Sequence, residues 1–279
     1  MIPAATNVSE VRTAMVPWRE AGETVAFVPT MGALHRGHMA LISNAKKMAK
    51  RVVASIFVNP TQFAPNEDLT KYPRRLEEDK KLLAEAGCDL LYAPSAENMY
   101  PAGFATVIDP GPIATVLEGI FRPTHFRGVA TVVVKLLLQI LPDAALFGEK
   151  DYQQLLVIRQ VVRDLNLPIH IIGVPIVRDA DGLALSSRNV YLSPADRQHA
   201  LTLPRTLKET AAAIQAGRDI GIALANGMAQ LVDAGFSVDY LDLVNAATLM
   251  STRTFDAPAR LLAAGFIGTT RLIDNMEVG

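Results

Sequence analysis

The sequence contains a single cysteine, Cys88, among its 279 residues. One cysteine excludes an internal disulfide framework and a cysteine-rich metal site, and it is compatible with a reducing compartment. Charge is balanced, since 27 Lys and Arg stand against 28 Asp and Glu. Because no block of basic residues stands out, the electrostatic footprint of a nucleic-acid-binding protein is missing. Small neutral or anionic substrates stay possible, because a local cluster of cations can hold a phosphate.

The chain also lacks a long hydrophobic run. The longest, at 129–141, is interrupted by Lys135 and Gln139, and it is shorter than the roughly 20 apolar residues that cross a bilayer. The first residues show no basic segment followed by an apolar one, so we expect no secretory signal. Half of the residues are apolar, enough for a sizeable core. We therefore expect a cytoplasmic enzyme with no membrane partner and no nucleic-acid partner.

Short β-rich runs alternate with helical periodicity over the first part of the chain. The β-rich runs lie at 24–29, 51–58, 89–92, 144–147 and 169–177, and the helical patterns at 37–50, 74–86, 125–140 and 151–164. This alternation predicts an α/β fold with a Rossmann-like, doubly wound parallel sheet. Ligands of such sheets bind outside the carboxyl ends of the strands, so residues that follow a β-rich run are candidates for the site.

The pattern changes after about Arg178. A long Ala-rich helical stretch begins at Ser193, and a second helix follows Arg218. Further β-rich runs lie at 237–244, 260–266 and 271–275. We therefore predict two domains, a Rossmann-like domain at 1–177 and a smaller α+β domain at 178–279.

The segment Met31–His38 follows the first β-rich run. It contains His35 and His38, with Gly37 between them and Gly32 before them. Backbone N–H groups at the start of a helix bind anions, and imidazoles can add donors for the charge that develops during phosphoryl or adenylyl transfer. A zinc site is the weaker alternative, since no third ligand lies nearby. Two solvated histidines in a loop are the remaining alternative, and the position after a strand argues against it.

A second segment with phosphate-binding character is the loop at 181–189. Ser186 and Ser187 supply hydroxyls beside the guanidinium of Arg188, which suits a phosphate clamp. Such a tripeptide alone is common on protein surfaces. In combination with the two histidines it resembles the nucleotidylyltransferase superfamily, and also the class I aminoacyl-tRNA synthetases, which usually have a lysine in this loop.

Two further segments follow predicted strands. Lys150 can meet a phosphate, Asp151 can accept hydrogen bonds from ribose hydroxyls or cap a helix, and Gln154 lies one turn further on. Gln62 lies in a loop after the second β-rich run, where an amide can bind a carboxylate or a hydroxyl. Glu78 and Asp79 form either a pair of Mg²⁺ ligands or a solvated acidic helix face, and Mg²⁺ takes only one or two carboxylates beside nucleotide phosphates.

Together these segments closely resemble the pantothenate synthetase family, the pantoate–β-alanine ligases, over nearly the whole chain. The resemblance rests on six blocks in the same order: PTMGALHRGH at 29–38, FVNPTQF at 57–63, FRPTHFRGVATVV at 121–133, FGEKDYQQL at 147–155, LSSRNVYLS at 185–193 and GTTRLIDNM at 268–276. Six ordered blocks are far more specific than one short motif. Thr124 stands where the family usually has glycine, which predicts a change in the local turn. Leu185 replaces a common Met of similar volume.

The resemblance implies a two-step reaction, in which ATP and pantoate form pantoyl adenylate and β-alanine then displaces AMP. It implies ATP and Mg²⁺ as cofactors and a homodimer as the assembly. His38 would be catalytic, with His35, Lys150 and Arg188. The ATP site would contain Met31, Gly32, Ala33, Leu34, His35, Arg36, Gly37, His38, Gly148, Glu149, Lys150, Asp151, Val177, Leu185, Ser186, Ser187 and Arg188. Gln62 and Gln154 would bind substrate, and Asp79 would contact Mg²⁺.

Other classes of function remain as alternatives. A nucleotidylyltransferase that transfers AMP or CMP to a phosphorylated alcohol would share the fold and the histidines, but it would not need the block with Gln62. A non-catalytic nucleotide-binding paralogue would not be expected to keep every phosphate-binding side chain. A fragment of an aminoacyl-tRNA synthetase is disfavoured, because the chain lacks a basic surface for RNA and an anticodon-binding domain.

Overall fold

The N-terminal part of the chain folds around a parallel sheet. The structure is a computed structural model that describes residues 2–65, 67–254 and 258–279. Within these residues the strands of the sheet are β1 Ala4–Ala5, β2 Val25–Thr30, β3 Arg51–Ile56, β4 Leu90–Tyr92, β5 Ala144–Gly148 and β6 His170–Val174. They are ordered β1-β4-β3-β2-β5-β6, and all neighbours are parallel. The predicted α/β class and parallel sheet are confirmed.

Helices connect the strands and cover both faces of the sheet. They are α1 Val8–Glu20, α2 Arg36–Met48, α3 Leu76–Glu85, α4 Ala96–Met99, α5 Glu118–Phe121, α6 His125–Ile140 and α7 Tyr152–Asp164. Single 3-10 turns lie at Pro60–Gln62, Gly111–Ala114 and Glu149–Asp151. In the part of the chain that the structure describes, no helix combines the length and the apolar character that crossing a membrane requires.

The central strands are buried on both faces, as their nearly continuous hydrophobicity predicts. Phe27 and Val53 point to one face, where they pack with residues of α1, α6 and α7. Val28 and Ala54, the next residue in each strand, point to the opposite face and pack with α2 and α3. Because side chains alternate along a strand, two separate cores form, one on each side of the sheet. This is the doubly wound arrangement.

The strands β2 and β5 separate near their carboxyl ends, where Pro29 lies. Their pairing covers Ala26 and Phe27. The carbonyl of Val25 accepts a hydrogen bond from the Asp143 N–H, so odd-numbered residues of β2 direct their backbone groups toward β5. Pro29 faces β5 in this pattern but has no N–H to donate, so its nitrogen cannot continue the pairing with β5. The strand order also reverses between β2 and β5, which is the position where ligands bind in open α/β sheets.

The C-terminal part forms a smaller α+β unit, as predicted. It contains the helices α8 Pro194–Ala200, α9 Thr202–Gln215 and α10 Ile220–Asp233, and the antiparallel strands β7 Ser237–Asn245, β8 Ala259–Ile267 and β9 Thr270–Val278. The helices and the sheet share a core of their own, to which Leu207 and Leu261 belong. The predicted Ala-rich stretch is divided at Leu201 into α8 and α9. The domain boundary between 177 and 178 stays a prediction.

Two local expectations differ from the structure. The β-rich run at 169–177 forms a strand only as far as Val174, because Pro175 cannot donate to a ladder. Thr124 has φ −99° and ψ −9° at the start of α6. This is right-handed helical backbone that threonine adopts without strain. The reason for expecting a changed turn, a left-handed backbone that favours glycine, is therefore absent at Thr124.

Candidate active site

A cleft of about 220 Å³ lies beyond the carboxyl ends of β2, β3, β5 and β6. It is where the sheet topology predicts a site. Segments far apart in the sequence meet here, and most of the predicted site residues line it. These are Met31, His35, Gly37, His38, Gln62, Gly148, Lys150, Asp151, Gln154, Val177, Leu185, Ser186, Ser187 and Arg188.

Six other predicted site residues do not line the cleft. They are Gly32, Ala33, Leu34, Arg36, Glu149 and Asp79, which are described but are not part of the lining. Arg36 shows why, since its side chain is 68% exposed and pairs with Asp179. Asp179 also binds Arg197 at 2.9 Å. A direct contact of any of these residues with ATP or Mg²⁺ stays a prediction.

The two histidines cap the helix α2 reciprocally. His35 is the N-cap residue, and its Nδ1 accepts a hydrogen bond from the Gly37 N–H at 3.2 Å. The Nδ1 of His38 accepts from the His35 N–H, also at 3.2 Å. The ring centroids are 4.1 Å apart. The pair thus has the form of a capping box with imidazoles in place of the usual hydroxyl and carboxylate.

This capping determines the protonation of both rings. An Nδ1 atom that accepts a backbone N–H carries no proton, so a neutral ring carries it on Nε2. Burial lowers the pKa of His35 to about 4, with a further contribution from the charge of Lys150. Burial also lowers the pKa of His38 to about 3, with contributions from His35 and Lys150. At neutral pH each ring therefore offers a neutral Nε2–H donor to a ligand in the cleft.

Two positions of this segment require glycine for steric reasons. A Cβ on Gly37 would lie 2.9 Å from Cε1 of His35. The glycine between the histidines therefore makes room for the His35 ring. Gly32 has φ +82°, and a Cβ there would lie 3.0 Å from Oδ2 of Asp79, so a side chain would be strained at this position.

Asp79 holds the turn that precedes the histidines. Its Oδ2 accepts the Ala33 N–H at 2.9 Å, and its Oδ1 accepts the Leu34 N–H at 2.8 Å. Burial raises the pKa of Asp79, although these two hydrogen bonds oppose the shift. Ala33 has φ +50°, so the turn needs such support. Both carboxylate oxygens are engaged by backbone donors, which is a structural role that the sequence did not indicate.

The Ser-Ser-Arg loop closes the cleft from the side of the C-terminal part. Ser186 caps the following turn by accepting the Arg188 N–H at 3.3 Å. The hydroxyl of Ser187 donates to the carbonyl oxygen of Ala33 at 3.2 Å. The loop and the histidine segment are thus in direct contact, as the combined motifs predict.

Arg188 is held by a carboxylate that sequence reasoning missed. Its guanidinium makes two hydrogen bonds of 2.9 Å to Asp68, and it lies 5.7 Å from the ring centroid of Tyr72. Such a planar, two-point contact fixes the orientation of the guanidinium. Asp68 lies 120 positions away in the sequence, so no spacing pattern could have revealed the pair.

Lys150 and Asp151 lie in the turn between β5 and α7. The ammonium of Lys150 is 3.8 Å from a carboxylate oxygen of Asp151, and its side chain is 18% exposed. Asp151 occupies the N-cap position of α7, whose first turn is fully described, but its side chain accepts no capping hydrogen bond there. The alternative in which Asp151 only caps the helix is therefore not what the structure shows, and Asp151 is one of the residues that line the cleft.

Gln62 and its neighbours form the amide part of the cleft. The Oε1 of Gln62 accepts from Asn59 Nδ2 at 3.1 Å, and its Nε2 lies 3.2 Å from the sulfur of Met31. Its backbone carbonyl oxygen lies 2.9 Å from Nδ1 of His125, and a carbonyl can only accept, so this Nδ1 carries the proton. Burial lowers the pKa of His125 to about 4. Gln154 lines the same cleft from α7.

The apolar wall of the cleft was not predicted from the sequence. The cleft is also lined by apolar side chains of α6, which are Val129, Val132, Val133 and Leu136. The spacing of these residues on one helix face was available in the sequence. This spacing does not distinguish a cleft wall from an ordinary core face, because apolar residues recur with the same periodicity in both.

A histidine capping box lies at the switch point of the parallel sheet, in one cleft with a lysine and a Ser-Ser-Arg loop. This arrangement is typical of α/β enzymes that bind a nucleotide by its phosphates. A family model of pantoate-beta-alanine ligase matches residues 4–277, and the chain belongs to this family.

Individual relatives agree with the family. A pantothenate synthetase of Rhizorhabdus wittichii is 55% identical over 98% of this chain and 97% of its own length. A crystal structure of pantothenate synthetase from Thermus thermophilus superposes with a TM-score of 0.95 at 50% identity, covering 99% of both chains. A pantoate-beta-alanine ligase from Francisella tularensis, complexed with β-γ ATP and β-alanine, has a TM-score of 0.83 at 36% identity, covering 99% of this chain and 98% of that one.

Proposed function

We propose that this chain condenses pantoate with β-alanine through a pantoyl adenylate formed from ATP. The observation that carries the proposal is the meeting of two kinds of group in one cleft. Phosphate-binding groups (His35, His38, Lys150, Ser186, Ser187 and Arg188) line it together with amides and an apolar helix face. The first kind suits the polyphosphate of ATP. The second suits pantoate, which carries hydroxyls, a carboxylate and a dimethyl carbon.

In the first step the pantoate carboxylate attacks the α-phosphorus of ATP, and pyrophosphate leaves. Negative charge moves onto the phosphate oxygens, where the neutral Nε2–H donors of His35 and His38 and the charges of Lys150 and Arg188 stabilise it. Gln62 and Gln154 orient the acid. Positioning of this kind supplies up to roughly 7–11 kcal/mol in favourable cases.

In the second step the amine of β-alanine attacks the acyl carbon of the adenylate. The carbon–nitrogen bond forms, the bond to the AMP oxygen breaks, and the amine loses a proton to solvent. AMP is a good leaving group from the acyl phosphate anhydride, so no enzyme nucleophile is required. The buried wall of α6 limits access of water to the adenylate.

Mg²⁺ remains part of the proposal, with the ion arriving on the nucleotide. The described residues contain no group of three or more His, Cys, Asp or Glu that could hold a metal ion. Both oxygens of Asp79 already accept backbone hydrogen bonds. Mg²⁺ normally takes most of its ligands from phosphates and water, and when bound it neutralises charge on the triphosphate.

The experiment that tests the function is exchange of labelled pyrophosphate into ATP. The expected result is exchange that requires pantoate and Mg²⁺ but not β-alanine, with pantothenate and AMP appearing when β-alanine is added. If no acid supports exchange, the ligase proposal is wrong. If exchange occurs but β-alanine never yields an amide, the simpler nucleotidyl-transferring alternative is favoured.

We further propose a homodimer in the cytoplasm. The family resemblance supports both, and α5 exposes 64% of Ile120 and 45% of Phe121, side chains that an interface could cover. Light scattering coupled to size-exclusion chromatography measures the assembly, and a monomeric mass at assay concentrations would contradict the dimer. Fractionation of cells that express the chain tests the location.

A further inference from the structure

The C-terminal sheet reaches the turn that carries Lys150 through one amide. Asn275, on β9, donates from Nδ2 to the carbonyl oxygens of Glu149 and Lys150, each at 2.9 Å. Asn275 is only 2% exposed. Because carbonyl oxygens only accept, the amide nitrogen must be the atom that faces them, and the orientation of the side chain is determined.

A second side chain of the same sheet holds the turn from another direction. Arg260, on β8, donates to a carboxylate oxygen of Glu149 at 3.1 Å. Its guanidinium also lies 3.9 Å from the ring centroid of Tyr152, the first residue of α7. Asn275 of β9 thus contacts the backbone of the turn, and Arg260 of β8 contacts the side chains of Glu149 and Tyr152 on either side of Lys150.

The residue next to Asn275 holds the other phosphate-binding element. Asp274 accepts two hydrogen bonds from Arg178, at 2.6 and 2.9 Å. Arg178 lies at the base of the Ser-Ser-Arg loop, where it also donates to the carbonyl oxygen of Gly182 at 3.1 Å. Consecutive residues of β9 therefore contact the loop of Arg188 and the turn of Lys150.

We propose that Asn275 is a positioning residue for Lys150. It fixes the backbone from which Lys150 extends to the phosphates and, with Asp274, keeps the two cationic groups of the cleft at a constant separation. The C-terminal part then does more than supply the Ser-Ser-Arg loop, since it also orients a cation that belongs to the N-terminal sheet. The inference rests on the proposed function, because the role of Lys150 is defined by the adenylation step.

The test compares Asn275→Asp with Val278→Ala in the pyrophosphate exchange assay. Asn275→Asp keeps the size of the side chain but removes both N–H donors and places a carboxylate against two carbonyl oxygens. A displaced lysine should lower kcat/KM for ATP on the order of 10²-fold, with the KM for pantoate unchanged. Val278 is fully buried in the core of the same sheet, where it pairs with Ala259 of β8. Its truncation should lower the Tm and leave the kinetic constants unchanged.

The pH dependence of the exchange rate distinguishes a positioning role from a purely structural one. A buried carboxyl has a raised pKa, and its protonated form offers one O–H donor to the turn. The rate of Asn275→Asp relative to the unaltered enzyme should therefore increase as the pH is lowered from alkaline to mildly acidic. A constant ratio, or unaltered kinetics, would overturn the positioning role. So would an equal kinetic loss in Val278→Ala.

If Asn275→Asp does not fold, Asn275→Ser and Asn275→Ala form a second comparison. The serine hydroxyl can still donate to one carbonyl oxygen, so partial rescue of exchange relative to alanine is expected. Equal rates in the two variants would contradict the proposal. Failure of the unaltered enzyme to exchange pyrophosphate with pantoate would instead refute the function, so the two failures are distinguishable.

Discussion

His38 combines two tasks in one ring. Its Nδ1 accepts the His35 N–H and so completes the start of α2, which leaves Nε2–H for a ligand. The two nitrogen atoms can be tested separately, because asparagine reproduces an acceptor near Nδ1 and glutamine reproduces a donor near Nε2. The low pKa of the ring, about 3, means that the donor is neutral throughout the physiological range.

Replacing His38 by asparagine should preserve the fold and remove catalysis. The cap is kept while the donor for the phosphate is lost, and loss of one such donor costs on the order of 10²–10³-fold in rate. His38→Gln should retain more pyrophosphate exchange than His38→Asn and have a lower Tm, because it keeps the donor and loses the cap. Thermal unfolding and exchange rates measured on both variants check this. Activity of His38→Asn equal to that of the unaltered enzyme would refute the role of the ring.

At the scale of elements, α3 supports the turn before α2. Asp79 on α3 contacts the backbone of Ala33 and Leu34, so the position of one helix determines the conformation of the segment that begins the other. The same carboxylate was predicted to contact Mg²⁺. Support of the turn uses the carboxylate oxygens as hydrogen-bond acceptors, whereas the predicted role uses them as metal ligands. An experiment can therefore separate the two roles.

Asp79→Asn should weaken the turn without changing the need for Mg²⁺. An amide keeps one acceptor and turns a donor toward the remaining backbone N–H, which leaves a buried donor unpaired at a cost of about 1–3 kcal/mol. The expected result is a lower Tm and a higher KM for ATP, with an unchanged Mg²⁺ concentration for half-maximal exchange at saturating ATP. A marked rise in that Mg²⁺ concentration would instead assign Asp79 to the metal. Glu78→Gln, at the 69% exposed neighbour, serves as the matched control and should change neither quantity.

At the scale of the whole molecule, three histidines are kept neutral in the fold. The ordinary pKa of 6.5 is lowered to about 4 for His35 and His125 and to about 3 for His38, with burial as the largest cause in each case. Below pH 6.5 the unfolded chain therefore binds more protons at these sites than the folded chain does. The free energy of unfolding should fall as the pH decreases through this range.

We expect this loss to begin near pH 6.5 and to continue to pH about 4 for His35 and His125, and to pH about 3 for His38. Urea unfolding at a series of pH values measures it, and each proton contributes a slope of at most about 1.4 kcal/mol per pH unit. His125→Asn keeps the donor to the Gln62 carbonyl and removes one titrating group, so its slope should be shallower. An identical slope in that variant would mean that His125 titrates normally in the fold.

The sequence predicted those parts of the site that depend on local pattern. Met31–His38 and the Lys150 turn follow strands of a parallel sheet, so the topology rule alone brings them to one edge. Contacts between distant residues could not be predicted in this way. Neither the Asp68–Arg188 pair nor the contact from Asn275 to the Lys150 turn, 125 positions away, leaves a periodic signal. Asp79 was assigned to an ion because a carboxylate on a helix does not reveal which backbone groups will face it.

Pro29 has a consequence for how substrates enter. The strands β2 and β5 diverge there, so the gap exists in the resting sheet and no ladder of hydrogen bonds has to be opened for a ligand to occupy it. The main cost of binding is therefore the entropy that loops and side chains of the cleft lose when a ligand orders them. A ligand can therefore occupy the gap without disturbing the two cores on the faces of the sheet.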